Sequence, residues 1–268
     1  MLKFTKMDGA GNDFVIIDNR DLNVSLDKDT VAKLCDRHRG IGADGFMAVE
    51  SSQENGDYRM RYYNSDGNEA EMCGNGARCF ARFVHNLKDH ENKTIRIETV
   101  AGMITAEIFE NDVQIMLSNP FDLKLNIPVK INEQPELIHF INTGVPHAIM
   151  VVDELDTINI KKIGSAIRHH EVFAPEGTNA NFQKKDSLNT LSIRTYERGV
   201  EDETLACGTG IVANALIHDQ LNDISPPVFV NVQGGDTLKV CWEKENDSYE
   251  NVTLTGPAEI VFEGKINV

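Results

Sequence analysis

The sequence predicts an α/β fold of the α+β type: two pseudo-symmetric domains, each with a mostly antiparallel sheet wrapped around a buried central helix. Three observations predict it. Short runs rich in β-branched and aromatic residues, bounded by turn residues, occupy most of the chain. One pattern occurs twice, half the chain length apart. The segment after each copy is apolar around much of a helix circumference, which is typical of a buried helix.

Strand-like segments make up most of the predicted elements. They lie at 14–20, 45–50, 58–64, 93–120 (three strands joined by two turns), 191–197 and 228–266. In the last region, "QGGD" at 233–236 predicts the tip of a hairpin. Outside the repeat, one helix is predicted over 29–39 with Asp29 as its N-cap, and another near 160–170.

The repeated pattern reads apolar–Cys–Gly–polar–Gly. It occurs around Cys73 in "EMCGNGARCFARF" (71–83) and around Cys207 in "LACGTGIVANAL" (205–216). An alternating strand and an acidic turn precede both copies. One such pattern arises easily by chance, but two in equivalent surroundings indicate a duplicated unit.

Each copy of the pattern is predicted to begin a helix. The glycines at 74, 76, 208 and 210 either let a ligand approach the backbone closely or allow tight packing where strand turns into helix. We expect two domains, residues 1–119 and 120–268. The boundary is placed in "SNPFDLKLNIP" (118–128), where two prolines interrupt the pattern.

Composition excludes several classes of protein. The net charge is −16, with 26 Lys and Arg against 42 Asp and Glu, and no basic stripe is present, so no nucleic-acid partner is expected. No apolar run is long enough for a membrane span, and the first residues lack a secretory segment, so we expect a cytoplasmic protein with no membrane partner. An anionic ligand would have to be bound by local groups such as helix starts or single arginines.

The five cysteines are not arranged as a disulfide framework or as a set of zinc ligands. Their odd number, wide spacing and lack of a Cys-x-x-Cys pair argue against structural disulfides and a zinc site, so no metal is expected. Cys35, Cys79 and Cys241 have no counterpart in the repeat and are interpreted as core residues. Cys73 and Cys207 are different, since the start of a helix favours a thiolate.

The duplication itself suggests a chemistry. If the two halves face each other, two helix N-termini form a nest for a carboxylate, and two cysteines flank the atom attached to it. One thiolate could then remove a proton from one face while the opposite thiol delivers a proton to the other face. This arrangement inverts a stereocentre next to a carboxylate and needs no cofactor.

The chain resembles the diaminopimelate epimerases, cofactor-independent enzymes that interconvert LL- and meso-diaminopimelate for lysine and peptidoglycan synthesis. The resemblance runs nearly end to end. It rests on "MDGAGNDFVIID" (7–18), "RHRGIGADG" (37–45), "YYNSDGNEAEMCGNGARC" (62–79), "TGVPHA" (143–148), "GTNANF" (177–182) and "YERGVEDETLACGTG" (196–210). It implies two α/β domains with the active site between them, residues from about 258 returning to the first domain, and a homodimer.

The resemblance also implies roles for single residues. Cys73 and Cys207 are the two bases, and Glu197 and His147 help to set their protonation. Glu197 additionally pairs with the α-ammonium, and Arg198 with the distal carboxylate. The helix-start N–H groups that bind the reacting carboxylate belong to Gly74, Asn75, Gly208 and Thr209. Side-chain amides that hydrogen-bond the substrate belong to Asn12, Asn64 and Asn179.

Three departures from the family pattern concern substrate recognition. Many members carry Gln where this chain has Gly45, and Asn where it has Val145. One additional residue also separates Glu197 from Cys207. A shifted substrate preference is therefore an open alternative.

Other functions remain as alternatives. A proline or hydroxyproline racemase shares the two-cysteine chemistry, although Asn75, Arg198 and the "GAGNDF" opening favour diaminopimelate. A phenazine-type isomerase would lack the cysteine pair. From other classes, a cysteine hydrolase using Cys73 and His147 leaves Cys207 unexplained, a thiol-redox protein requires the two cysteines to meet, and an anion-binding module has no use for two thiols.

Overall fold

The computed structural model describes residues 1–87, 93–245 and 248–267. The chain divides into two compact units: unit 1 is Met1–Met116 together with Thr255–Val268, and unit 2 is Leu117–Leu254. Among the described helices, none combines the length and the apolar character needed to cross a lipid bilayer.

Unit 1 alternates strands with two helices. Its elements are β1 (Leu2–Asp8), β2 (Asp13–Asp18), α1 (Lys28–Cys35), β3 (Gly45–Ser51), β4 (Tyr58–Asn64), β5 (Glu69–Ala70), α2 (Gly74–Asn86), β6 (Thr94–Thr99), β7 (Gly102–Ile108) and β8 (Asp112–Met116). The chain returns to this unit at its end, where β18 (Glu259–Ile266) pairs antiparallel with β1.

Unit 2 has the same kind of organisation. Its elements are β9 (Phe121–Ile131), β10 (Gln134–Asn142), β11 (Pro146–Val151), α3 (Ile160–Arg168), β12 (Asn179–Lys185), β13 (Thr190–Glu197), β14 (Asp202–Thr204), α4 (Gly208–Asn222), β15 (Val228–Asn231) and β16 (Thr237–Glu245). A short 3₁₀ turn at Glu171–Phe173 follows α3. Strand β17 (Ser248–Pro257) begins in unit 2, and its residues from Thr255 onward belong to unit 1.

The two units repeat one pattern of strand pairing. In unit 1, β1 and β2 are antiparallel, β2 and β3 are parallel across α1, β3 and β4 are antiparallel, and β4 pairs antiparallel with β5 and parallel with β6. In unit 2, β10, β11, α3, β12, β13, β14 and β15 follow in the same order with the same directions. The predicted mostly antiparallel sheets and the duplication are confirmed at the level of topology.

The helix after each Cys-Gly-x-Gly is buried, as the sequence predicts. In α4 every residue from Gly210 to Asp219 is buried, and α2 is buried from Asn75 to Ala81. Each helix packs against most strands of its own unit. The Asp219 carboxylate inside α4 is compensated, because it accepts hydrogen bonds from the Tyr249 hydroxyl and from Lys244 Nζ at 3.0 Å.

The prediction for α1 was wrong in its bounds and its cap. The helix covers Lys28–Cys35 rather than 29–39, and its N-cap is Asp27, whose carboxylate accepts from Thr30 N at 2.9 Å. After Cys35 the Asp36 carboxylate accepts from the backbone N–H groups of His38 and Arg39, which forms a turn instead of further helix.

Other predicted elements agree with the structure. Helix α3 lies at Ile160–Arg168, and a turn over 233–235 joins β15 to β16 as the "QGGD" tip predicts. The three strands predicted within 93–120 are β6, β7 and β8. Residues 246 and 247 of the predicted 228–266 region lie outside the described residues.

Candidate active site

In unit 1, Cys73 is the N-cap of α2. Its backbone is extended, and its Sγ accepts a hydrogen bond from the backbone N–H of Gly76 at 3.5 Å. The first N–H groups of a helix have no acceptor within the helix and carry its positive dipole end. The half-buried thiol is therefore held where a thiolate is favoured.

An amide side chain faces Cys73 in the same unit. Asn12, between β1 and β2, donates from Nδ2 to the carboxylate of Asp44 at 2.9 Å. Asn12 Oδ1 then points away from Asp44, because a carboxylate only accepts. It accepts hydrogen bonds from Asn75 Nδ2 at 3.4 Å and from the Cys73 thiol at 3.7 Å. Sequence reasoning missed Asp44, although "RHRGIGADG" contains it together with Arg37, its ion-pair partner at 2.7 Å.

Asn64 and Gly45 lie on neighbouring strands, β4 and β3. The Tyr62 hydroxyl donates to Asn64 Oδ1 at 3.1 Å. A Cβ on Gly45 would lie 2.8 Å from Tyr62 Cε2 and 3.1 Å from the carbonyl oxygen of Tyr63. The Tyr62 ring thus occupies the space that the first atoms of a longer side chain at position 45 would need. A glycine at this position, where many family members have Gln, is therefore consistent with the local packing.

In unit 2, Cys207 precedes α4 in the same position as Cys73 precedes α2. The Cys207 side chain is 8% exposed, and its Sγ lies 3.6 Å from the Thr209 hydroxyl. The same hydroxyl lies 3.0 Å from His147 Nε2, and Thr143 Oγ1 donates to the Thr209 carbonyl oxygen at 2.9 Å. The structure therefore connects two residues that the sequence implicates, His147 and Cys207, through Thr209.

His147 lies on β11 and is fully buried. Burial, together with the positive charge of Arg198, lowers its pKa from 6.5 to about 3. The imidazole is therefore neutral at neutral pH, and burial makes it a weaker base than an exposed histidine. Its contribution to the site is through hydrogen bonds whose direction depends on its tautomer.

Asn179 and Arg198 are joined through the backbone. Asn179 Oδ1 accepts from the Arg198 backbone N–H at 2.9 Å, and Asn179 Nδ2 donates to the Pro146 carbonyl oxygen at 3.0 Å. The buried amide therefore fixes the strand that carries His147 relative to the turn that carries Arg198. The Arg198 guanidinium is half-buried and reaches the Glu176 carbonyl oxygen at 3.4 Å.

Glu197 ends β13, directly before Arg198. Burial raises the pKa of its carboxyl. A carboxylate that is partly removed from water gains from a cationic partner. The position suits a residue that binds an ammonium group.

Asn181 is a polar residue that sequence reasoning missed. It lies on β12 two residues after Asn179, and therefore on the same face, and it is fully buried. Its amide contacts His147 Nδ1 at 3.2 Å. The period-two spacing within "GTNANF" is the signal that could have found it.

Two of the four glycines serve tight packing. A Cβ on Gly210 would lie 2.8 Å from Asn181 Oδ1 and 3.3 Å from His147 Cε1. A Cβ on Gly76 would lie 3.2 Å from Met47 Sδ and 3.4 Å from Cys73 Cβ. At these two positions the packing interpretation is favoured over a close ligand approach.

The remaining cysteines differ from Cys73 and Cys207. Cys35 and Cys79 are buried, and burial raises the pKa of Cys35 to about 12 and that of Cys79 further. Cys241 is only half-buried, so the core interpretation fits it less well. Within the described ranges, no group of three or more His, Cys, Asp or Glu side chains is arranged to hold a metal ion.

Comparison with known structures places the fold. The chain superposes on a phenazine biosynthesis protein of the PhzF family from Bacillus anthracis with a TM-score of 0.77 and 16% identity, covering 100% of this chain and 99% of that one. A hydroxyproline epimerase from Agrobacterium vitis matches with a TM-score of 0.73 and 14% identity, covering 98% of this chain and 91% of that one. At these identities the likeness concerns the fold alone.

Sequence comparison is more specific. The family profile described as diaminopimelate epimerase matches residues 4–121 and 139–261. A diaminopimelate epimerase of a Hydrogenobaculum species is 43% identical over 98% of both chains. Those of Flavobacterium psychrophilum and Aquifex aeolicus are 42% and 40% identical, over 99% of this chain and 100% and 98% of theirs. The chain therefore belongs to the diaminopimelate epimerase family.

Proposed function

We propose that this protein interconverts LL- and meso-diaminopimelate by two-base proton transfer at Cα, without a cofactor. The observation that carries the proposal is the pair of equivalent cysteines, each placed at the start of a buried helix in a unit of the same topology. Family membership over nearly the full chain supports the substrate.

The reaction requires the two cysteines to flank the substrate carbon. One cysteine, as the thiolate, removes the α-proton, and the other, as the thiol, donates a proton to the opposite face. At the end of one turnover the protonation of the pair is reversed. The negative charge that develops on the substrate carboxylate is stabilised by the first N–H groups of α2 and α4, which include those of Gly74, Asn75, Gly208 and Thr209.

The other groups bind the remainder of the substrate. Glu197 pairs with the α-ammonium, which suits its buried carboxyl, and Arg198 pairs with the distal carboxylate. Asn12 and Asn64 offer amide groups, oriented by Asp44 and Tyr62. Asn179 contributes mainly by holding the backbone of Arg198 in place.

Two alternatives have less support than the epimerase. A cysteine hydrolase would need His147 as the base that deprotonates the thiol, but burial makes this imidazole a weak base, and its Nε2 is already hydrogen-bonded with the Thr209 hydroxyl. A proline-type racemase has no specific observation in its favour, because its likeness rests on fold at low identity.

The test is incubation with LL-diaminopimelate in deuterated water without added cofactor, following deuterium at Cα and the appearance of the meso isomer. We expect exchange by the wild type and a loss of at least about a hundredfold in Cys73→Ala and in Cys207→Ala. Cys79→Ala, in the same helix as Cys73, should retain activity. Exchange that survives the double cysteine variant would falsify the two-base mechanism, and turnover of proline instead would overturn the substrate assignment.

We also propose that the protein acts as a homodimer in the cytoplasm. Acid–base cysteines must stay reduced, which favours a reducing compartment. Strand β18 exposes three neighbouring apolar residues, Ile260, Val261 and Phe262, which favours association through this strand. Analytical ultracentrifugation should give twice the chain mass of 29.8 kDa; a monomer at assay concentrations would contradict this part of the proposal.

A further inference from the structure

We propose that Asn181 is a positioning residue that sets the tautomer of His147 and thereby aims the Thr209 hydroxyl at Cys207 as a hydrogen-bond donor. The inference rests on the proposed function, because it concerns the thiolate that the epimerase reaction uses. It adds a residue to the site that neither the repeat nor the family motif assigns a role.

The orientation of the Asn181 amide follows from its partners. Nδ2 lies 3.1 Å from the carbonyl oxygen of Ala148 and 3.5 Å from that of Asn179. Carbonyl oxygens only accept, so the amide nitrogen must be on this side. On the other side, Oδ1 accepts from the Thr195 hydroxyl at 2.9 Å. A flipped amide would place oxygen against oxygen and lose these bonds.

The amide orientation determines the histidine tautomer. His147 Nδ1 lies 3.2 Å from Asn181 Nδ2. An amide NH₂ group donates and does not accept, so Nδ1 must be the unprotonated ring nitrogen. Since the buried ring is neutral, its single proton is then on Nε2. Nε2 lies 3.0 Å from the Thr209 hydroxyl oxygen and donates to it.

The tautomer of His147 in turn determines which atom the Thr209 hydroxyl donates to. Its oxygen is occupied as an acceptor by His147, which leaves its own proton to be donated to another partner. Cys207 Sγ lies 3.6 Å away. A hydroxyl that donates to sulfur stabilises the thiolate relative to the thiol. With the other tautomer, Thr209 would donate to His147 Nε2 instead, and this bond to Cys207 would be lost.

The packing leaves little freedom for another arrangement. Asn181, His147 and Thr195 are all buried, and the Gly210 Cα approaches Asn181 and His147 so closely that no Cβ fits. Among the described ionisable groups, Arg198 acts on His147 through its charge, Glu197 is the neighbour of Arg198 in the sequence, and Cys207 is the end of this chain of hydrogen bonds. None of these replaces the neutral donor that Asn181 presents to Nδ1.

The experiment measures the tautomer of His147 and the ionisation of Cys207 separately. The tautomer is read from ¹⁵N-histidine NMR, assigned with His147→Gln. The ionisation is read from the ultraviolet absorbance of the thiolate against pH, as the difference between each variant and its Cys207→Ser counterpart. Both measurements use the full chain without substrate, so they are independent of whether diaminopimelate is turned over.

We expect the wild type to show the Nε2–H tautomer. Asn181→Asp, which offers an acceptor to Nδ1, should move the proton to Nδ1 and raise the pKa of Cys207 by about one unit. Thr209→Val should raise it by a similar amount, and Thr209→Ser, which keeps the hydroxyl, should not. In the Asn181→Asp/Thr209→Val double variant the pKa should be no higher than in Thr209→Val alone.

Gln183→Glu is the matched control. Gln183 is a buried amide on the same face of β12, and it contacts His218 rather than His147. The control should leave the tautomer of His147 and the Cys207 titration unchanged. If Asn181→Asp does not fold, two measurements still test the inference. The wild-type spectrum gives the tautomer of His147, and the comparison of Thr209→Val with Thr209→Ser tests the hydrogen bond from the Thr209 hydroxyl to Cys207.

The inference is overturned by an Nδ1–H tautomer in the wild type, by an unchanged Cys207 titration in Thr209→Val, or by an equal shift from Asn181→Asp with and without the Thr209 hydroxyl. The deuterium-exchange assay is run on the same samples. A wild type that shows the expected tautomer and titration but no exchange would contradict the proposed function and leave the hydrogen-bond chain intact.

Discussion

His147 is an ionisable side chain that the fold holds neutral. In the unfolded chain a histidine titrates near pH 6.5, whereas burial lowers the pKa of His147 to about 3. Between these values the unfolded chain binds more protons than the folded one. The free energy of unfolding therefore rises with pH in this window and is lost as pH falls through it. Burial lowers the pKa of His139 and His218 as well, so these add in the same direction.

The residue-scale prediction follows from this difference. Lowering the pH from 7 to 5 should remove about 2 kcal/mol of stability through His147 alone. Urea unfolding at both pH values should show a smaller loss in His147→Gln than in the wild type, by about that amount. His38→Gln, at an exposed position, reports the effect of removing a histidine that is not buried. Equal losses in the wild type and His147→Gln would show that His147 is not held neutral by burial.

At the scale of elements, α2 and α4 are helices whose starts are shaped by glycine. Alanine is favoured over glycine inside a helix by about 1 kcal/mol. At Gly210 this preference is outweighed, since a Cβ would lie 2.8 Å from Asn181 Oδ1 and 3.3 Å from His147 Cε1. Neither atom belongs to a flexible chain end that could move away, because both side chains are buried.

We therefore predict that Gly210→Ala lowers both stability and epimerase activity. The Cβ should displace Asn181 or His147 and so disturb the contact between Thr209 and Cys207. The thermal midpoint and the rate of deuterium exchange measure the two effects. Gly235→Ala is the comparison: it has open space but a φ of +95°, so it should cost about 1 kcal/mol and leave the exchange rate of the folded protein unchanged. A stabilised, fully active Gly210→Ala would refute the packing argument.

At the scale of the whole molecule, unit 1 is built from both ends of the chain. Strand β18 pairs with β1 along nearly its full length. The buried Arg78 on α2 donates to the Pro257 carbonyl oxygen at 3.3 Å and to that of Gly9 at 3.3 Å. The last residues of the chain therefore hold the strand and the helix that position Asn12 and Cys73.

A chain that ends at Leu254 should consequently lose unit 1 before unit 2. We expect fast amide hydrogen exchange in β1, β2 and α2 of this truncated protein, while the strands of unit 2 keep their protection. Epimerase activity should be absent. The full chain measured in parallel is the reference, and protection of β1 and α2 that survives the truncation would contradict the role of β18.

Much of the fold was predictable because local pattern and burial agree. The apolar circumference after Cys207 predicted a buried helix, and α4 is one. The cap of α1 was missed because Asp27 and Asp29 are both good N-cap residues, and only the backbone conformation shows that Asp27 accepts from Thr30 N. Tyr62 and Gly45 also could not be paired from sequence, since they meet across neighbouring strands.

The sequence by itself determined the duplicated cysteines, the helix each one caps, and the family, because these depend on residue type and spacing along the chain. Only the tertiary structure decided which way the Asn181 amide points, that His147 is fully buried, and that Thr209 lies between His147 and Cys207. The physical reason is that the direction of a hydrogen bond and the loss of solvation depend on partners from β11, β12, β13 and α4. These elements lie within residues 146–222, and β11 and α4 come together with β12 and β13 only when unit 2 is folded.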